Sequence, residues 1–184
     1  MTGGETMFYN NLETERLILK NIDSDDREFI YHQFSDDEVN RYLFDAEPLS
    51  SLEDADDLIA FYQEEEPRSH HRWVITRKSD GMKIGTCGLH CWDQEKSKVE
   101  IGYDLKKDDQ GKGYIVEALS EMIEFIKREM KVQRINACIY VGNQRSIQLV
   151  QKFGFEFSGT MNELFRGNRY EHHIYSLEVD QSAR

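Results

Sequence analysis

Two glycines one residue apart, Gly111 and Gly113, stand in the run Gln110-Gly111-Lys112-Gly113-Tyr114, between a strand pattern and the start of a strongly amphipathic helix pattern. Small residues let the main chain approach a ligand, and the unpaired N–H groups and positive dipole end of a first helical turn favour an anion, phosphate above all. On spacing alone, a tight strand-to-helix turn needing positive φ explains the same residues. A dinucleotide fingerprint fails for want of a third glycine at its spacing, and the strands ahead read as antiparallel. A nucleoside-triphosphate loop fails because no Gly-Lys-Ser or Gly-Lys-Thr closes the turn. Metal chemistry finds no support either. Cys87 and Cys91 flank His90, but on a strand residues four apart lie about 13 Å from each other. His70-His71 and His172-His173 lack a carboxylate at ligand spacing. No metal is therefore assigned.

The elements that must position the turn follow from periodicity. Arg16 to Ile22 reads as a strand, and Asp23-Ser24-Asp25-Asp26 can cap a helix reaching about Phe34. Leu52, Ala55, Leu58, Ile59 and Tyr62 recur at helical spacing, predicting an acidic helix over 51–65. Three strands follow, over 71–77, 83–92 and 98–105, as an antiparallel meander. In the third, Val99, Ile101, Tyr103 and Leu105 share one face, and Glu100, Gly102 and Asp104 share the other. Ile115, Leu119, Met122, Ile123, Ile126 and Met130 form one stripe of a helix over 114–130. A strand over 134–140, a short helix over 143–152 and a hairpin from 155–160 and 170–179 complete the chain. Strand, turn, helix and strand make a βαβ unit.

At 184 residues the chain suits one domain. No stretch approaches the roughly 20 apolar residues that cross a bilayer, and Met1 to Thr6 carries neither basic flank nor apolar signal region, so a cytoplasmic address is expected. Three cysteines, Cys87, Cys91 and Cys138, argue against a disulfide framework. The formal charge of -12, from 35 acidic and 23 basic residues, disfavours nucleic acid and attracts cations, although acidity also serves solubility.

Several motifs in order resemble the GCN5-related N-acetyltransferases, and within them the RimJ/RimL type that acetylates α-amino groups of ribosomal proteins. Leu12-Glu13-Thr14-Glu15-Arg16-Leu17-Ile18-Leu19 is similar to the usual opening, Glu100-Ile101-Gly102-Tyr103 to the fourth strand, and Gly111 through Ala118 to the pyrophosphate turn and helix. Asn143-Gln144-Arg145-Ser146-Ile147 through Lys152-Phe153-Gly154-Phe155 resembles the next helix and turn, and Tyr175-Ser176-Leu177 the last strand. The resemblance implies one GNAT domain over 1–184, with a core of about 12–179. Its α/β (α+β) fold would be a mixed, mostly antiparallel sheet of six to seven strands, flanked by helices and splayed between the fourth and fifth, here 98–105 and 134–140. Acetyl-CoA would insert into that splay as cosubstrate. By resemblance, the main chain near Tyr103 and Leu105 bonds the pantetheine arm, Gln110, Gly111, Lys112, Gly113 and Tyr114 hold the pyrophosphate, and Asn143 faces the cofactor.

Two positions depart from the family pattern. Asp108 stands where a Gln or Arg often begins the turn, and it is expected to face solvent, with Lys106, Lys107 and Lys112 nearby. Val150 stands where many relatives have the tyrosine that protonates the leaving thiolate, seven residues after Asn143. Acetyl transfer needs a neutral amine, a polarised thioester and a proton for sulfur, and direct attack in a ternary complex meets these needs. Glu100, beside the splay, is the candidate base; a surface or merely orienting carboxylate is the alternative. Ser146 is the candidate on the thiol side; the alternative is a helix-start serine bonded to its own backbone. Trp73, Trp92, Tyr42 and Phe44 either line an acceptor pocket or pack in the core. The acceptor is expected to be a protein N-terminus or a small cationic amine such as a polyamine. A noncatalytic acetyl-CoA-binding regulatory module is the other reading, and a homodimer is left open.

Overall fold

The computed structural model describes residues 9–180; the ends of the expected 1–184 domain lie outside the described residues. One sheet contains β1 (Leu12–Glu13), β2 (Leu17–Asn21), β3 (His71–Arg77), β4 (Lys83–Asp93), β5 (Lys98–Leu105), β6 (Arg134–Tyr140), β7 (Glu156–Phe165) and β8 (Asn168–Glu178). β8 lies between β6 and β7, and every neighbouring pair is antiparallel except β5 and β6. The described residues thus hold eight strands where six or seven are expected. The addition is β1, whose two residues are too few to show an alternating period. The final hairpin is also longer than expected. Its tip strands are largely exposed and carry little apolar alternation, and they meet at Arg166-Gly167, both at positive φ (48° and 78°).

Five helices flank the sheet among the described residues: α1 (Arg27–Ser35), α2 (Asp37–Asn40), α3 (Leu52–Tyr62), α4 (Tyr114–Glu129) and α5 (Gln144–Lys152). A 3₁₀ turn over Ser24–Asp26 leads into α1, held by a capping box between Asp23 and Asp26. Ser51 and Asp54 form a second box at the head of α3. That helix stops at Tyr62, three residues before the expected end, as the acidic run 64–66 and Pro67 approach.

The helices divide between the two faces of the sheet. Leu119, Met122 and Ile126 of α4 and Ile147 and Val150 of α5 pack with Val99, Ile101 and Leu105 of β5 and Ile135 of β6. Each such side chain contributes roughly 1.5–3 kcal/mol on full burial. On the other face, Ile30 of α1 and Ala55, Ile59 and Tyr62 of α3 cover Ile22 and Val74. The parallel ladder of β5 and β6 runs only over Lys98–Glu100 and Arg134–Asn136. Beyond it β5 follows β4 as far as Leu105, and β6 follows β8 as far as Tyr140. The two strands therefore part from each other at Glu100, and the sheet is splayed.

Candidate active site

The glycine turn stands at the open end of the splay. Gly111 has φ 75°, and Gly113, the residue that starts α4, has φ 82°, a left-handed conformation that glycine adopts without a Cβ penalty. The first helical bond runs from Glu117 N–H to Gly113 C=O, 3.1 Å, so the N–H groups of Gly113 through Val116 precede the helical ladder. A Cβ on Gly111 would meet nothing within 4 Å, whereas one on Gly113 would stand 3.2 Å from Arg16 Nη2. Arg16 is tied to this head. Its Nη1 donates to Lys112 C=O at 3.0 Å, its Nε pairs with Glu117 at 2.6 Å, and its guanidinium lies 4.6 Å from the Tyr114 ring centre. Beneath the turn, buried Asp109 pairs with Arg77 at 2.7 Å and Lys112 at 3.5 Å. Asp108 is exposed, and Lys106 and Lys107 turn to Phe29 and Glu38.

Register decides what the β5 lip of the splay presents. Lys106 N–H donates to Ile84 C=O, 2.8 Å, in line with the Gly85–Leu105 and Cys87–Tyr103 pairing of β4 with β5. Antiparallel strands alternate bonded and non-bonded pairs, so the N–H and C=O groups of Tyr103 and Leu105 point away from β4, toward the gap. Gln110 and Arg145 link the two lips there. Gln110 Nε2 donates to Leu105 C=O at 3.1 Å, and Arg145 Nη1, at the start of α5, donates to Gln110 Oε1 at 2.7 Å.

Glu100 marks the closed end of the gap, paired in register with His90 of β4 and Asn136 of β6. Half-buried, its carboxyl is pushed above the usual range by loss of solvent; Lys98 partly opposes this and Glu163 of β7 adds to it. Loss of solvent and the carboxylates of Glu100, Glu163 and Asp45 together push the Cys138 thiol up to about 12. Three acids therefore converge on one side of the sheet. Next to them Phe44, in the loop between α2 and α3, stacks on Tyr170 at 3.8 Å and meets Tyr140 edge-on at 4.7 Å; Tyr42 stacks on Tyr140 at 6.0 Å. A bidentate pair of Glu47 with Arg166 ties that loop to the hairpin tip. Trp73 is a core residue, fully buried against Phe125, and Trp92 packs partly buried against the same core.

On the opposite face, the Tyr103 and Ser146 hydroxyls meet at 2.6 Å, joining β5 to the head of α5. Asn143 caps that helix, its Oδ1 accepting from Ser146 N–H at 3.3 Å. Val150 is fully buried in the core. Beneath Glu100 lies a polar network. Buried Arg72 donates to Thr86 (2.6 Å), Tyr62 (2.9 Å) and His90 Nε2 (3.1 Å) and pairs with Asp104 at 3.4 Å, while Gln33 donates to Asp104 at 2.7 Å. Burial, the Arg72 charge and nearby His70 hold His90 neutral, its pKa lowered to about 3.

A glycine turn at a helix head, a parallel pair splayed beyond it and a half-buried carboxylate at the point of parting make up the candidate site. The family model of the Acetyltransferase (GNAT) domain matches residues 16–156. The chain belongs to the GNAT acetyltransferase family. This GNAT acetyltransferase is 34% identical to the uncharacterised N-acetyltransferase YoaA of Bacillus subtilis (strain 168), over 90% of this chain and 95% of YoaA. Its fold matches RimL, a ribosomal L7/L12 alpha-N-protein acetyltransferase in complex with coenzyme A, with a TM-score of 0.83 at 17% identity, covering 93% of this chain and 99% of that one. It also matches the spermidine N-acetyltransferase of Vibrio cholerae in complex with CoA and spermine, with a TM-score of 0.80 at 18% identity, covering 93% and 100%. Among the described residues of this acetyltransferase, no group of three or more His, Cys, Asp or Glu side chains is arranged to hold a metal, and no helix is long and apolar enough to cross a membrane.

Several residues beside the turn and the gap escape sequence reasoning. Arg16 reaches the turn from 101 residues before its ion-pair partner Glu117, and Arg77 reaches Asp109 across 32 positions, separations that leave no local signal. Arg145 lies inside the Asn143–Ile147 motif, but its reach to Gln110 across 35 positions leaves no local signal either. The Tyr103 side chain is hidden because its alternation marks it only as a core-facing residue.

Proposed function

We propose that this enzyme transfers the acetyl group of acetyl-CoA to a primary amine by direct attack in a ternary complex. The observation that carries the reading is the β5–β6 gap, with the left-handed glycine turn at its open end and Glu100 at its closed end. Acetyl-CoA laid along the gap replaces the missing strand partner. In this reading the main chain of Tyr103 and Leu105 bonds the pantetheine arm, and Gln110, Gly111, Lys112, Gly113 and Tyr114 take the pyrophosphate, with Arg16 and Arg145 beside it. The Asn143 side chain faces the cofactor while capping α5. Ser146 serves the sulfur, and Glu100 takes a proton from the amine. Burial suits Glu100 to that task, since a raised pKa makes a stronger base once it is ionised.

The acceptor in this reading is a cation, either a protein N-terminal α-amine or a small cationic amine. Glu100, Glu163 and Asp45 draw positive charge, and the Phe44, Tyr140 and Tyr170 rings offer faces that attract it. RimL and the spermidine enzyme represent these two acceptor classes and support both. The chain works as one domain in the cytoplasm, and sedimentation velocity distinguishes monomer from homodimer. Thiol release measured over peptides with free N-termini and over polyamines, with coenzyme A binding measured separately by calorimetry, tests the function. Turnover on one class is expected. Binding without turnover on any amine would instead support a noncatalytic acetyl-CoA-binding module, and absence of binding would overturn both readings.

A further inference from the structure

We propose that Tyr103 is a positioning residue for acetyl transfer: its hydroxyl holds Ser146 Oγ so that the serine hydrogen is donated to the coenzyme A sulfur as the thiolate forms. The proposal rests on the acetyl-CoA reading above. Tyr103 lies three residues beyond Glu100 on the β5 lip, about 10 Å along the strand, and its ring spans the gap to the helix that follows β6. A pantetheine arm running from the glycine turn toward Glu100 brings its sulfur past this bridge. The position where many relatives carry a thiol-side tyrosine is Val150, which is sealed in the core. A phenol therefore reaches the thiol side from β5 rather than from α5.

The Tyr103 hydroxyl is 2.6 Å from Ser146 Oγ, where either group can be the donor, and 3.4 Å from Ser146 C=O. In the proposed arrangement Tyr103 donates to Ser146 Oγ, which leaves the serine's own hydrogen to aim at the sulfur and polarises it outward. Burial pushes the Tyr103 hydroxyl up to about 12, with the Ser146 bond opposing, well above an ordinary thiol near about 8.5. Tyrosinate would thus form at a cost, and the pair supplies a hydrogen bond rather than a proton. The amine nitrogen bonds to the acetyl carbonyl carbon and gives its proton to Glu100, the carbon–sulfur bond breaks, sulfur keeps the electron pair, Ser146 stabilises it by a hydrogen bond, and solvent protonates the released thiolate.

The test reads the ionisation of bound coenzyme A directly, from thiolate ultraviolet absorbance against pH at saturating cofactor. Tyr103→Phe and Ser146→Ala are each expected to raise the midpoint by roughly one to two units, the equivalent of one charge-assisted hydrogen bond. The double variant is expected to go no further, and Ser146→Thr to restore the wild-type midpoint. Wild-type ionisation in Tyr103→Phe, with coenzyme A still bound, overturns the proposal and leaves the acetyl-CoA reading intact. Loss of coenzyme A binding in Tyr103→Phe but not in Ser146→Ala also overturns it, because the hydroxyl then only holds the lips of the gap together. Failure of the wild-type protein to bind coenzyme A sinks the underlying reading as well.

Discussion

Replacing Gly113 with alanine isolates the conformation of the turn from its side-chain chemistry. At φ 82° an added Cβ incurs the left-handed penalty, about 1–2 kcal/mol, and stands 3.2 Å from Arg16 Nη2, the end of a flexible side chain that can shift. For a chain of this size each kcal/mol moves Tm by roughly 2–4 °C, so a fall of roughly 2–8 °C is expected. Gly111→Ala, at φ 75° with open space around the Cβ, is expected to show similar strain without the contact. If either variant relaxes toward an ordinary φ, main-chain N–H groups at the head of α4 swing off the pyrophosphate. Each hydrogen bond to a charged group is worth about 1.5–3 kcal/mol, so coenzyme A affinity should fall by roughly 10- to 150-fold. Calorimetric titration with coenzyme A, and with pantetheine, which lacks the diphosphate, separates the effects. Affinity for coenzyme A should drop while that for pantetheine stays the same. Unchanged coenzyme A affinity in both variants with Tm at the wild-type value, the sign of a turn that has relaxed, would refute the assignment of this turn to the diphosphate.

Glu100→Gln should lower kcat at neutral pH by roughly 100-fold, with KM for acetyl-CoA little changed. A base must be ionised to act, so wild-type activity is lost as pH falls through the Glu100 pKa. Because burial raises that pKa, the acidic limb should lie above the ordinary carboxylate range, and a limb that survives in the Gln variant would assign it elsewhere. Arg72→Leu leaves the Asp104 carboxylate buried without its cation and should cost about 3–5 kcal/mol in denaturant unfolding, with Arg72→Leu/Asp104→Leu recovering part of the loss. His71, buried and stacked on Tyr9 at 4.0 Å, has its pKa lowered to about 3 by loss of solvent and by the charge of Arg68, with smaller contributions from His70 and Arg72. Its folded pKa lies below the unfolded value near about 6.5, so the stability it contributes is present above that pH and lost on acidification. The loss is up to about 1.4 kcal/mol per pH unit below 6.5 and ends near pH 3. His71→Gln should flatten the dependence of Tm on pH between 6.5 and 5, and an unaltered slope would remove His71 as its source.

Local pattern was enough for much of this protein. The stripe from Ile115 to Ile126 specifies α4 because burial of one helical face repeats every three to four residues, and the alternation from Val99 to Leu105 specifies β5 because strand faces repeat every two. Gly111 and Gly113 announced a turn because few other residues accept their φ, and Ser51 and Asn143 announced helix starts because their side chains cap backbone N–H groups. Distance between strands has no such local signature. Only the tertiary structure determined that β5 and β6 part after Glu100, that Arg16 returns across the sheet to the head of α4, and that Tyr103 meets Ser146 instead of merely filling the core. It also decided the ends of α3 and the final hairpin, where exposed polar residues carry no period. Propensity and periodicity report what a residue's immediate neighbours require, while a site assembled from residues up to a hundred positions apart is set by which surfaces bury together.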